Sequence, residues 1–362
     1  MPRFLLTVLL FVLMVRPALA VSVVFISPGH ADEVYWRTVS RAMHDAAASL
    51  GLTLEVLYAG RDHTRGLSLV NEVVARTRHP DYLIVTNDYG SAPAMLRAIE
   101  PAAIPTLLAF SGVHGEERAL TGAPRERFPF WLGSIEPRAD DAGYLTARRL
   151  LAAARTHGGL AGPDGRLHLL AVAGDRSTPS SIARTRGLQR AVAESPVAVL
   201  DQVVHADWNR DKAAEQARWL YARHPHARLV WAGNDEMAFG AIGAWRERGG
   251  RPGTDALFSG INSSDEALQA IRSGELAALA GGHFMTGALA LVLVHDHARG
   301  RDFRDQGLEL EFPLFVLFDP GLARRFERLF GPDAPRIDYR RHSRALNPRL
   351  KNYNFDFARM LR

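Results

Sequence analysis

Six side chains in this sequence pair useful chemistry with a recurring position, just after a short apolar run or in the helix that follows one. Tyr35 and Trp36 follow the run at 21–26, Trp208 follows 198–204, Asn234 follows 229–232 and Asn262 follows 256–260. Arg184 lies in a helical stretch that begins after the run at 167–173. Aromatic rings there can stack on flat ligands or on the apolar side of a sugar ring. Asparagine amides offer a donor and an acceptor together, which suits vicinal hydroxyls, and an arginine can make a forked contact to a polar group. Each position also has a structural reading. Tyr35 and Trp36 could be core residues of the first helix, the asparagines could be helix caps, and Arg184 could sit on the surface.

Other chemistries lack their residues. The 362-residue chain has no cysteine, which excludes disulfides, thiolate metal sites and a cysteine nucleophile. Gly-x-Gly-x-x-Gly, Walker-type and His-Glu-x-x-His motifs are missing, as is the Gly-x-Ser-x-Gly elbow. His295 and His297 are two apart on a helical stretch, so they point to different sides and are not expected to chelate a metal together. No enzyme, cofactor or metal is therefore expected. The formal charge of +5 is mild, and 42 of the 44 basic residues are arginines, Lys212 and Lys351 being the exceptions. This balance does not argue for nucleic acid.

The elements that must position these side chains alternate regularly. Apolar runs at 21–26, 53–58, 82–85 and 106–109 are separated by helical stretches at 33–50, 66–78 and 92–99. After a loop rich in glycine, proline and charge at 111–129 the rhythm restarts, with runs at 167–173, 198–204, 229–232, 256–260 and 276–280. Short continuous apolar strands joined by helix-length crossovers predict parallel sheets buried on both faces. The expected fold is α/β: two doubly wound, Rossmann-like parallel-sheet domains. Ligands of such sheets bind outside the carboxyl ends of the strands, so a cleft between the domains is predicted.

Residues 1–20 read as a secretory signal peptide, with Arg3, an apolar run over 4–15 and the small-x-small end Ala18-Leu19-Ala20. Cleavage before Val21 and a periplasmic location are expected. The last 31 residues carry eight Arg/Lys (Arg336, Arg340, Arg341, Arg344, Arg349, Lys351, Arg359, Arg362) against three acids. They read as a solvated basic tail over the second domain, with docking to an acidic partner or anionic lipid as the alternative.

The order of motifs resembles the type I periplasmic binding proteins for sugars, of the ribose- and autoinducer-2-binding kind. The most specific stretch is 229–242, Leu-Val-Trp-Ala-Gly-Asn-Asp-Glu-Met-Ala-Phe-Gly-Ala-Ile, which matches the family's Asn-Asp-x-x-Ala-x-Gly-Ala signature. Ser181-Ile-Ala-Arg184-Thr-Arg-Gly187 matches its Ser-x-x-Arg-x-x-Gly helix, and Gly260-Ile-Asn262 its Gly-x-Asp, with an amide for the acid. Tyr35 and Trp36 correspond to its first aromatic pair, and Asp207-Trp208-Asn209 to its Asp-Phe-Asp-type loop. Three positions depart. Phe110-Ser111 replaces an acidic–basic pair, Arg138 stands where the hinge motif has aspartate, and the third-crossing glutamine falls at Gly282 or His283. These departures argue against an ordinary aldopentose, and an additional arginine in the cleft would favour an acidic or oxygen-rich ligand.

The resemblance implies a three-crossing hinge, with a first domain of 21–135 plus 283–305 and a second of 136–282 plus 306–330. It implies a ligand site of Tyr35, Trp36, Arg184, Trp208, Asn234 and Asn262, with Arg138 alongside. The implied function is a monomeric solute receptor that closes on a small polar, carbohydrate-like ligand and delivers it to an ABC permease. The alternative is a sensor that presents such a ligand to a membrane kinase, cyclase or chemoreceptor. A repressor of the same fold would need a helix-turn-helix where the signal peptide stands.

Overall fold

The computed structural model describes residues 20–331 and 334–361; the expected signal peptide up to Leu19 lies outside the described residues. Twelve strands form two sheets. The first contains β1 (Ser22–Ser27), β2 (Thr53–Tyr58), β3 (Tyr82–Val85), β4 (Thr106–Ala109), β5 (Trp131–Pro137) and β11 (Glu309–Phe312), in the order β11-β5-β4-β3-β1-β2. The second contains β6 (Leu167–Ala173), β7 (Ala198–His205), β8 (Leu229–Ala232), β9 (Leu257–Ile261), β10 (Leu276–Gly281) and β12 (Val316–Leu317), in the order β12-β10-β9-β8-β6-β7. Every pairing is parallel except β12 with β10. Central strands such as β3, β4 and β8 are buried at every residue, as their unbroken apolar runs require.

The helices cover both faces of each sheet for local reasons. In the helix Val34–Leu50, Trp36, Val39, Met43, Ala46, Ala47 and Leu50 make one buried stripe, and Gly51 ends it in the left-handed region at φ 68°. The helix Thr286–Ala298 is buried on every side from Thr286 to Asp296, and its sequence is correspondingly apolar all round. Helices Ala139–His157 and Pro179–Ala193 approach until glycine is needed at the contact. A Cβ on Gly143 would stand 1.8 Å from the Arg184 carbonyl oxygen, and one on Gly187 would stand 2.1 Å from that of Asp140.

Two expectations are corrected. The sequence places residues 306–330 in the second domain, but β11 pairs in parallel with β5 in the first sheet. The physical reason is Pro313, which lacks the N–H needed to continue a ladder. It splits the run at 308–318, so that β11 stays with the first sheet and only β12 reaches the second. The first sheet also extends beyond residue 135, to Pro137. The chain thus passes between the sheets after β5, after β10 and between β11 and β12.

The second correction concerns the basic tail. Tyr339, Ser343, Arg344, Tyr353, Phe355 and Phe357 are buried. Asp296, in the helix Thr286–Ala298, accepts from Ser343 Oγ, from the Arg344 N–H (2.5 Å) and from Tyr353 Oη (2.9 Å). Phe357 packs on Phe284 and on Phe326 and Phe330 of the helix Pro320–Phe330. It also lies where any side chain on Gly282 (φ 118°) would have to go. Arg336, Arg340, Arg341, Arg349 and Arg359 are exposed, but Arg344 is buried and the aromatics between them are core.

Candidate functional site

The carboxyl ends of both sheets face one cavity, of about 520 Å³ including its mouth. The first half contributes Glu33, Tyr35 and Trp36 after β1, Arg61 after β2, Asp88 after β3, Phe110 and Ser111 after β4, and Pro137 at the end of β5. The second contributes Thr178, Ser180 and Arg184 after β6, Trp208 after β7, Asn234 after β8, Asn262 after β9 and His283 after β10. Five strands of each sheet therefore end on the same space. A direct bond spans the halves, from the Tyr89 N–H to Thr178 Oγ1 at 3.1 Å.

Six of the seven expected residues line this cavity: Tyr35, Trp36, Arg184, Trp208, Asn234 and Asn262. Arg138 does not. It precedes the helix Ala139–His157 and lines a larger opening next to the cavity, with His114, Glu136 and Arg186. Two of the six are partly committed elsewhere. Trp36 is only 4% exposed and packs on Phe25 and Phe110, so it is core as well as lining. Asn234 caps the helix Asp235–Glu247, its Oδ1 accepting from the Met237 N–H at 2.8 Å.

Arg184 is held with little freedom. Nη1 donates to the Gly233 carbonyl at 2.7 Å and Nη2 to His283 Nε2 at 3.0 Å. Its guanidinium lies 5.3 Å from the Trp208 ring centroid and 5.7 Å from that of Phe315. Burial lowers its pKa to about 10, against attraction from Tyr35 and Asp235. Because arginine only donates, His283 Nε2 must be the acceptor, which puts the ring proton on Nδ1. The imidazole is stacked between Tyr35 (4.8 Å) and Phe315 (4.5 Å), and burial holds its pKa well below the ordinary value. Trp208 is oriented by Asp175, whose Oδ2 accepts from the indole N–H at 2.9 Å. Asn262 Nδ2 donates to Asp235 Oδ1 at 2.7 Å, and burial pushes the Asp235 carboxyl up to about 6.

On the first half, Arg61 forks onto Glu33 (2.5 and 3.1 Å) and lies 3.6 Å from Asp88. Burial raises Asp88 to about 6 despite that arginine. Backbone strain gathers at the same place. Of the eight non-glycine residues with positive φ among the described residues, Arg61, Phe110, Trp208 and Asn262 line the cavity. Such conformations cost about 1–3 kcal/mol each and persist where the surrounding structure imposes them.

The reading from sequence did not select Glu33, Arg61, Asp88, Thr178 or Ser180. The strand-end rule would have found Arg61 and Asp88, since each follows a parallel strand. Among the described residues no group of three or more His, Asp or Glu is placed to hold a metal ion. His295 faces Asp296 and His297 faces Tyr82 Oη, so the two rings have different partners.

Comparison with known proteins agrees with this architecture. The profile of the periplasmic binding protein domain matches residues 23–302. A crystal structure of a periplasmic sugar-binding protein from Pseudomonas fluorescens superposes with a TM-score of 0.84 at 39% identity, covering 94% of this chain and 100% of that one. The ribose import binding protein of Salmonella typhimurium is 33% identical over 105 residues, 29% of this chain and 34% of that protein. A putative rhizopine-binding protein of Rhizobium meliloti is 31% identical over 116 residues, 31% of this chain and 37% of that one. The chain thus spans about a third of the length of the curated relatives it matches. With a profile match across both sheets and a full-length structural relative, the chain belongs to the type I periplasmic sugar-binding protein family.

Proposed function

We propose that this protein is an exported solute receptor that captures a small carbohydrate-like ligand between its two halves and delivers it to the permease of an ABC importer. The observation that carries this is the cavity walled by the carboxyl ends of both parallel sheets, with aromatic faces and polar groups from each. A ligand that contacts both walls is bound best when they are together. It favours the closed state by its differential affinity, and the closed surface is what a permease can read. Tyr35 and Trp208 supply faces for a sugar ring, Arg184 and Asn262 supply polar contacts, and Asn234 supplies its remaining amide hydrogen. A relative named for ribose import and a structure titled as an ABC transporter solute-binding protein with bound D-allose support import over sensing.

The test is mass spectrometry of compounds released on denaturing freshly purified protein, followed by calorimetry with the compound identified. A carbohydrate bound with micromolar or tighter affinity is expected. A released compound of another class, or no heat with any carbohydrate at millimolar concentration, refutes the reading.

A further inference from the structure

Two arginines are buried among the described residues, Arg344 at 2% and Arg184 at 6% exposure. Arg344 forks onto Asp305, and the half-buried arginines do the same: Arg61 onto Glu33, and Arg125 onto Asp302 at 2.6 and 2.9 Å. Among the described residues Arg184 has no carboxylate within ion-pair distance. Both its hydrogen-bond partners are neutral, and its Nε–H has none. A buried cation without a counter-charge is costly. The fold neutralises its other buried arginines and leaves this one, which lines the cleft.

Two more donors share that condition. Trp36 Nε1 and His283 Nδ1 are buried without a partner, and each belongs to a residue that lines the cavity. The indole nitrogen can only donate, and His283 Nδ1 carries the proton because Nε2 accepts from Arg184. Acids do face the cavity, but from the other wall. Glu33 and Asp88 lie on the first half, with Arg61 between them. The acids nearest the second wall are turned to other work, Asp175 holding Trp208 and the Ser177 and Thr178 N–H groups, and Asp235 holding Asn262. The cavity thus has two poles, the carboxylates of Glu33 and Asp88 on the first wall and, on the second, a guanidinium that lacks a carboxylate within ion-pair distance, beside the unpartnered His283 Nδ1 donor.

We propose that the ligand is a sugar acid, whose carboxylate pairs with Arg184 on the second wall while its hydroxyls face Glu33 and Asp88 on the first. This rests on the carbohydrate reading and narrows it to an anionic member. A carboxylate replaces the missing counter-charge and accepts from several donors at once, whereas a hydroxyl brings no charge.

The test is calorimetry of the exported chain against matched pairs: glucuronate with glucose, galacturonate with galactose, gluconate with glucitol and ribonate with ribose. In at least one pair the acid is expected to bind tenfold or more tightly than its neutral partner. In Arg184→Gln that ratio should fall towards one. Should Arg184→Gln fail to fold, Arg184→Lys, which keeps the charge, should retain an acid preference. A neutral partner that binds as tightly as its acid or tighter overturns this inference and leaves the carbohydrate reading standing. An acid preference that survives in folded Arg184→Gln overturns the assignment to Arg184. Binding of no member of any pair overturns this inference, and the compound released on denaturation then decides the carbohydrate reading separately.

Discussion

Replacing Gly143 by alanine should disable the cleft from a distance, because Gly143 fixes the helix that carries Arg184. The new Cβ would stand 1.8 Å from the Arg184 carbonyl oxygen and 2.7 Å from its carbonyl carbon, where ordinary contact begins at 3.4 Å. The difference, 3.4 minus 1.8, is 1.6 Å, and backbone must supply it because no flexible side-chain end is involved. A shift of that size at the Arg184 backbone would stretch or misalign its hydrogen bonds of 2.7 and 3.0 Å. Overpacking of this kind costs about 1–3 kcal/mol of stability. Losing the charge-assisted contact from Arg184 to a ligand should weaken binding roughly ten- to a hundredfold. Urea denaturation and calorimetry with the tightest-binding carbohydrate of the matched pairs read the two effects. Gly243→Ala is the control. Nothing lies within 4 Å of its Cβ, so it should gain about 0.5–1 kcal/mol and bind normally. Gly143→Ala protein with wild-type denaturation and affinity would refute the account of how Arg184 is placed.

Asp235, raised from 3.8 to about 6, holds its proton more tightly folded than unfolded, so its contribution to stability is complete below pH 3.8 and fades as pH rises through 6. Asp235→Asn should therefore gain stability relative to wild type between pH 4.5 and 7.5, by up to about 3 kcal/mol; urea midpoints that run parallel for the two proteins would refute this. Phe357→Ala should cost about 3–5 kcal/mol because the ring is fully buried among Phe284, Phe326 and Phe330, and a wild-type melting temperature would return the tail to solvent. Saturating ligand should hold the halves together, so X-ray scattering should give a smaller radius of gyration and Trp208 fluorescence should change; an unchanged radius with binding confirmed would mean a rigid cleft.

What the chain alone determined is what short-range pattern controls. Continuous apolar runs of strand length, separated by helix-length crossovers, admit few arrangements other than parallel sheets. The strand-end rule then places Tyr35, Arg184, Trp208, Asn234 and Asn262 at one cleft before any coordinate is known. Tertiary structure decided what depends on contacts between distant residues. Arg138 lies next to the cavity rather than in it, because the helix it precedes packs against the helix of Arg184 through Gly143. Pro313 splits the run at 308–318, but which sheet β11 then joins turns on which edge lies beside 309–312, and its Glu-Leu-Glu-Phe alternation suits an edge of either. The basic tail became core because its aromatics meet Gly282, Phe326 and Phe330, while its exposed charges, Arg344 excepted, stay outside. The feature that narrows the ligand, an arginine buried without a carboxylate, is likewise invisible in one dimension. Charge pairing is set by which side chains come within about 4 Å, and a sequence does not record that distance.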